Sequence, residues 1–143
     1  MNRAAASPAC VYVRDDTDVG VARRLTRELA CRQGLSPVEA EALATAVTEL
    51  ARNIVVHAGS GEVHFKAVGE AARRGVTVTA RDTGSGICHI EQAMQDGFST
   101  KGSLGFGLPG ARRLVDRFEI SSKVDEGTTV TVWKWAVAAP HSG

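Results

Sequence analysis

Apolar residues recur along this chain with two periods, and the switches between them mark out its elements. Alternation over residues 9–14 predicts a short strand. Asp15, Asp16 and Asp18 then supply N-cap chemistry for a helix that runs to about Gln33, with Val21, Leu25 and Leu29 on its buried side and Gly34 as its C-terminal cap. Ser36, Pro37 and Glu39 combine an N-cap serine, a proline at the first helical position and a glutamate at the third, so a second helix starts here. Leu43, Val47, Leu50 and Ile54 form its apolar stripe, and Gly59-Ser-Gly61 ends it. The period then changes to two. Val63, Phe65 and Ala67 alternate with Glu62, His64 and Lys66, which puts His64 on the water side of a half-buried strand. After a polar turn at residues 69–74, residues 76–80 repeat that period, and the pair reads as a hairpin.

A long connection rich in Gly, Ser and Thr follows at residues 87–104, with one helical turn at residues 90–94; a segment of this length in a small domain reads as a lid. The glycine-rich run from Gly105 to Gly110 opens a short helix over residues 111–116, with Leu114 and Val115 facing inward. Strands at residues 118–124 and 128–135 flank a tight turn at residues 125–127. The order strand, helix, helix, two strands, lid, helix, two strands predicts an α+β fold. The expected form is a two-layer sandwich with a mixed, mostly antiparallel sheet and helices on one face. Residues 9–135 make a single domain between short tails at residues 1–8 and 136–143.

Composition narrows the function classes. A length of 143 residues, 43% hydrophobic and 23% charged, suits one ordinary globular domain. A net charge of +1 argues against a dedicated nucleic-acid binder, because phosphate recognition leaves a basic excess. No apolar run approaches the roughly 20 residues that span a bilayer, so no membrane partner is expected. The opening residues 1–8 are too poor in apolar content for a secretory signal, and a cytoplasmic location is expected. Cys10, Cys31 and Cys88 are odd in number and far apart, so they read as free thiols. Cys88-His89 is half a metal site without its other half, and a loop reading is simpler.

Glu49 and Asn53, four residues apart, share one side of the second helix beside the apolar stripe. A carboxylate and an amide held together on a rigid rod suit a proton acceptor and a ligand for a hard cation converging on one site. Taken alone, the segment reads as two solvated residues. Gly105-x-Gly107-x-x-Gly110 matches the dinucleotide fingerprint but fails on context, since a lid precedes it and a terminal hairpin follows. Its backbone N–H groups remain suited to phosphate oxygens. Asp82-x-Gly84-x-Gly86 places an acid at a strand end before glycines that admit a flat ligand, so the acid can accept from an exocyclic amine such as that of adenine.

Glu49-Leu-Ala-Arg-Asn53, Asp82-Thr-Gly-Ser-Gly86, Gly102-Ser-Leu-Gly-Phe-Gly107 and Gly127-Thr128, in this order, resemble the N, G1, G2 and G3 boxes of the GHKL (Bergerat-fold) ATP-binding superfamily. The resemblance covers residues from about 10 to 135. The run from Asp96 to Phe118 and the closing Trp133-Lys-Trp135 are most similar to the RsbT-like switch-protein serine kinases of the stressosome and the anti-sigma regulatory kinases.

That resemblance implies ATP and Mg²⁺ as cofactors. Asn53 would coordinate Mg²⁺, and Glu49 would act as the catalytic base or orienting group for the attacking hydroxyl. Asp82 would bind the adenine amine with support from Thr128, Gly84 and Gly86 would let the base approach, and Gly102, Gly105, Phe106 and Gly107 would wrap the phosphates. Many relatives carry Lys or Arg three residues after the asparagine; here Val56 stands there, so a phosphate contact must come from elsewhere, with Arg52 and Lys101 as candidates. At His57 a packing role is expected. The implied activity is a protein serine/threonine kinase acting on a STAS-domain partner in a partner-switching pathway. A phosphatase, cyclase or sigma-pathway protein would lie downstream. The rival is an anti-sigma-type binding module whose nucleotide site gates sequestration.

Overall fold

The computed structural model describes residues 9–70, 73–84 and 107–137. Strand β1 (Ala9–Val13) leads into helix α1 (Asp16–Arg32) and helix α2 (Pro37–Asn53), and α2 continues as a π-helical segment, Ile54–Ala58. Strands β2 (Gly61–Glu70) and β3 (Arg73–Asp82), helix α3 (Leu108–Arg113), and strands β4 (Arg117–Lys123) and β5 (Gly127–Trp135) complete the order. The sheet runs β1-β2-β3-β5-β4, and every described pairing is antiparallel, so the expected mostly antiparallel sheet holds with no parallel pair among these strands.

Local chemistry explains the helix ends. Asp15 caps α1 by accepting from the Asp18 N–H at 3.0 Å. Gly34 takes φ +87° after α1, its N–H bonding to the Cys31 carbonyl while the Leu35 N–H reaches Ala30, the Schellman pattern that satisfies the last carbonyls. At α2 the capping box is complete: the Ser36 hydroxyl accepts from the Glu39 N–H (3.1 Å), and the Glu39 carboxylate accepts from the Ser36 N–H (2.8 Å). The other Glu39 oxygen accepts from the Val137 N–H at 3.1 Å, and the Ala136 N–H bonds to the Arg74 carbonyl. The first two residues of the expected tail at residues 136–143 are therefore anchored, and the rest of it lies outside the described residues.

One face of the sheet is the core. Val11, Val13, Val63, Phe65, Val76, Val78, Ala80, Val130 and Val132 project from it onto α1 and α2. The α2 stripe of Leu43, Val47, Leu50 and Ile54 is buried as its period predicts. On α1 the buried line is Val19, Ala22, Thr26 and Ala30, while Val21, Leu25 and Leu29 flank it half-buried. Small residues at the centre of that line let the two helices lie close together, which periodicity of large residues does not reveal. The hairpin strands are longer than expected and reach residues 70 and 73. Gln33 seals that end: its amide nitrogen donates to the Val68 and Gly75 carbonyls at 3.0 and 2.9 Å, and its amide oxygen accepts from Arg74 at 2.8 Å. The short helix expected at residues 111–116 starts and ends earlier, at Leu108–Arg113, because Pro109 sits comfortably in a first turn.

Candidate functional site

The end of α2 carries the first half of the site. Glu49 and Asn53 lie one turn apart and are both half-exposed, flanked by the buried Leu50 and Ile54. The chain then widens into the π-helical turn at Ile54–Ala58, a rare conformation concentrated at functional sites. Asn53 is the last α-helical residue, and its side chain makes no capping hydrogen bond to the π-helical segment that follows. An amide at the lip of a helix end is suited to a cation or a polar ligand. Val56 is 56% exposed, which leaves room for a ligand but no charge for one. Arg52 is exposed on the same helix end, and His57 is half-buried.

The sheet supplies the second half. Gly61, Asp82, Thr128 and Ser122 are successive partners across β2, β3, β5 and β4, so their row is the polar margin of the core face. Asp82 Oδ1 accepts from the Gly84 N–H (2.9 Å) and the Thr128 N–H (3.3 Å), which leaves Oδ2 for a donor from outside. The Thr128 hydroxyl is held by Ser122 at 2.7 Å. The two halves meet at glycines. A Cβ on Gly61 would lie 2.9 Å from Ile54 Cγ2 and 3.1 Å from Asp82 Cβ, and one on Gly84 would lie 2.6 Å from Ala58 Cβ. Asp82 is thus packed beside the π-helical turn that follows Asn53, and the close approach at Gly84 is to Ala58.

Helix α3 closes the third side. Gly107, its N-cap, has φ +66°, and a Cβ there would strike the Glu49 carboxylate. Only glycine places the α3 start directly against Glu49. The structure therefore brings together Glu49, Asn53, Asp82, Gly84, Gly107 and Thr128 around the ends of α2, α3 and the sheet. Gly86, Lys101, Gly102, Gly105, Phe106 and the expected lid at residues 87–104 with its helical turn lie outside the described residues. Sequence reasoning missed Ser122 and the π-helical turn; strand alternation placed Ser122 on a strand, but only the register sets it beside Thr128. A cavity of about 610 Å³ lined by Val68, Arg73, Arg117, Trp133 and Trp135 lies at the opposite end of the sheet and is separate from this site.

The model of the histidine kinase-like ATPase domain matches residues 13–134, which spans all three sides of the site. The chain belongs to the histidine kinase-like ATPase family. This histidine kinase-like ATPase domain is 41% identical over 127 residues to the serine/threonine-protein kinase RsbT of Bacillus subtilis (strain 168), covering 89% of this chain and 96% of that one. It is a homologue of that kinase over nearly its whole length. The anti-sigma F factor of Anoxybacillus flavithermus is 37% identical over 97 residues, covering 63% of this chain and 65% of its own. The catalytic domain of the histidine kinase ThkA superposes with a TM-score of 0.51 at 12% identity, covering 88% and 95% of the two chains, and shares the fold. As an ATPase-family domain the chain is built to hold ATP. Among the described residues no helix is long and apolar enough to cross a membrane.

Proposed function

We propose that this protein is a cytoplasmic, ATP-dependent protein serine/threonine kinase that phosphorylates a STAS-domain regulatory partner and thereby switches what that partner binds. The observation that carries the reading is the meeting of Glu49 with Gly107, one helical turn from Asn53, in a chain 41% identical to a serine/threonine-protein kinase. Asp82 accepts the adenine amine through Oδ2 while the Gly84 and Thr128 N–H groups hold Oδ1. The half-exposed Asn53 amide at the end of α2 fits a hard cation, and it would hold Mg²⁺ through its oxygen. When bound, Mg·ATP supplies the transferable phosphoryl group and a cation that neutralises phosphate charge. Glu49 orients the incoming serine or threonine hydroxyl and accepts its proton. The phosphorylated partner releases this kinase or a downstream phosphatase, cyclase or sigma-pathway protein.

The test is transfer of labelled phosphate from ATP to STAS domains encoded in the same genome. Glu49→Ala is expected to keep ATP binding and lose about 10²–10⁴-fold in rate. Asn53→Ala is expected to weaken Mg²⁺-dependent binding as well. Similarity to an anti-sigma F factor favours a second reading, a sequestering module whose nucleotide site gates a protein surface. Stable binding of a STAS domain that is never phosphorylated would establish that second reading, and wild-type transfer by Glu49→Ala would remove Glu49 from the catalytic role.

A further inference from the structure

The face of the sheet turned away from the helices gathers a second group of chemically active side chains. Cys10 and His64 are direct cross-strand partners in the β1–β2 register, and Glu62 lies two residues before His64 on the same face. His64 Nε2 is 2.9 Å from Glu62 Oε1, Cys10 Sγ is 3.8 Å from His64 Nε2, and one ligating atom from each residue lies within 4.8 Å of the others. His64 therefore does more than face water. We propose that Cys10, Glu62 and His64 form a Zn²⁺ site on this open face, independent of the nucleotide site.

Bond lengths of about 2.0–2.3 Å in tetrahedral zinc set neighbouring ligand atoms about 3.3–3.6 Å apart, so the cation needs shifts of only a few tenths of an ångström in the two measured pairs. Thiolate, imidazole and carboxylate together select a borderline-soft cation over Mg²⁺ or Ca²⁺. Three protein ligands leave the fourth position to water. Arg81 bonds the same Glu62 oxygen at 3.3 Å and would compete, but its side chain is 55% exposed and can turn into water. Zinc then replaces one cation by another on that carboxylate. The Cys10 thiol gives up its proton to solvent as the S–Zn bond forms, His64 binds as neutral imidazole, and no redox change occurs. The consequence is structural: the ion ties edge strand β1, which pairs on one side only among the described strands, to β2.

The experiment titrates the full chain with Co²⁺ as a spectroscopic stand-in and then with Zn²⁺. One equivalent is expected, with intense tetrahedral absorption, a thiolate charge-transfer band, release of about one proton, and displacement by Zn²⁺. Cys10→Ser is expected to abolish the thiolate band, and both it and His64→Gln to weaken affinity at least about 10–100-fold, the loss that even an outer-shell change produces. Cys31→Ser and Cys88→Ser should leave the titration unchanged. A thiolate band that survives Cys10→Ser, one that disappears with Cys31→Ser or Cys88→Ser, or a weak octahedral spectrum overturns the assignment. Circular dichroism of Cys10→Ser, a change at an exposed position, separates loss of the site from loss of the fold.

Discussion

Gly107→Ala tests the geometry of the nucleotide site without requiring any activity. The backbone at Gly107 is left-handed (φ +66°), which costs a residue with a Cβ about 1–2 kcal/mol. The new methyl also strikes Glu49 Oε1, and its contact with Glu49 Cδ is 3.1 Å, so the carboxylate or the start of α3 must move. Overpacking of this kind adds about 1–3 kcal/mol, for a total of about 2–5 kcal/mol. In a Glu49→Ala background the offending atoms are gone and only the Glu49 Cβ remains, at an ordinary 3.4 Å, so the substitution should cost the backbone penalty alone. Urea unfolding of the wild type, both single variants and the double variant closes the cycle, and the expected coupling is about 1–3 kcal/mol. Additivity within about 0.5 kcal/mol would refute the juxtaposition of Glu49 with the α3 start. In the kinase assay Gly107→Ala should lower turnover by on the order of 10²-fold, since misplacing a reacting group by about 1 Å has that effect.

Three further outcomes are expected. Asp82→Asn replaces an acceptor by a donor at the adenine position and should weaken ATP binding by about 10–150-fold in titration calorimetry, from about 1.5–3 kcal/mol of charge-assisted bonding; an unchanged dissociation constant removes Asp82 from the site. Gln33→Ala strips the Val68 and Gly75 carbonyls of their donor and should lower stability by about 1–3 kcal/mol, read as a shift in urea midpoint with an unchanged slope. Partial desolvation against the sheet face, and then the neighbouring Glu62 charge, push the pKa of the exposed Cys10 thiol up against the opposing pull of Arg81. The fold therefore favours the neutral thiol, a preference present below the unfolded pKa and lost as pH rises through the folded one. Alkylation of Cys10 should accelerate at a higher pH than in a peptide containing the same residue, and coincident pH profiles would remove that shift.

The elements themselves were legible in the chain because their causes are local. A period of 3.6 on α2, a period of two on β2 and β5, the Ser36–Glu39 capping box and the Gly34 stop all act within a few residues, and each stands where it was expected. The order of the glycine and acid motifs also placed Glu49, Asn53, Asp82, Gly107 and Thr128 as one candidate site, through their resemblance to a known family. What periodicity does not encode is which residues meet. The close line of small residues on α1, the π-helical turn after Asn53 and the seal made by Gln33 depend on partners up to 42 residues away. Cys10 and His64, 54 residues apart, form no motif in the sequence and become neighbours only through the β1–β2 register. The same holds for Glu49 and Gly107: helical spacing set the direction of the carboxylate, but the packing of α3 against α2 decided what it faces. Backbone propensity and amphipathic period are near-neighbour energies, whereas a site is made by long-range packing that brings the ends of several elements to one point.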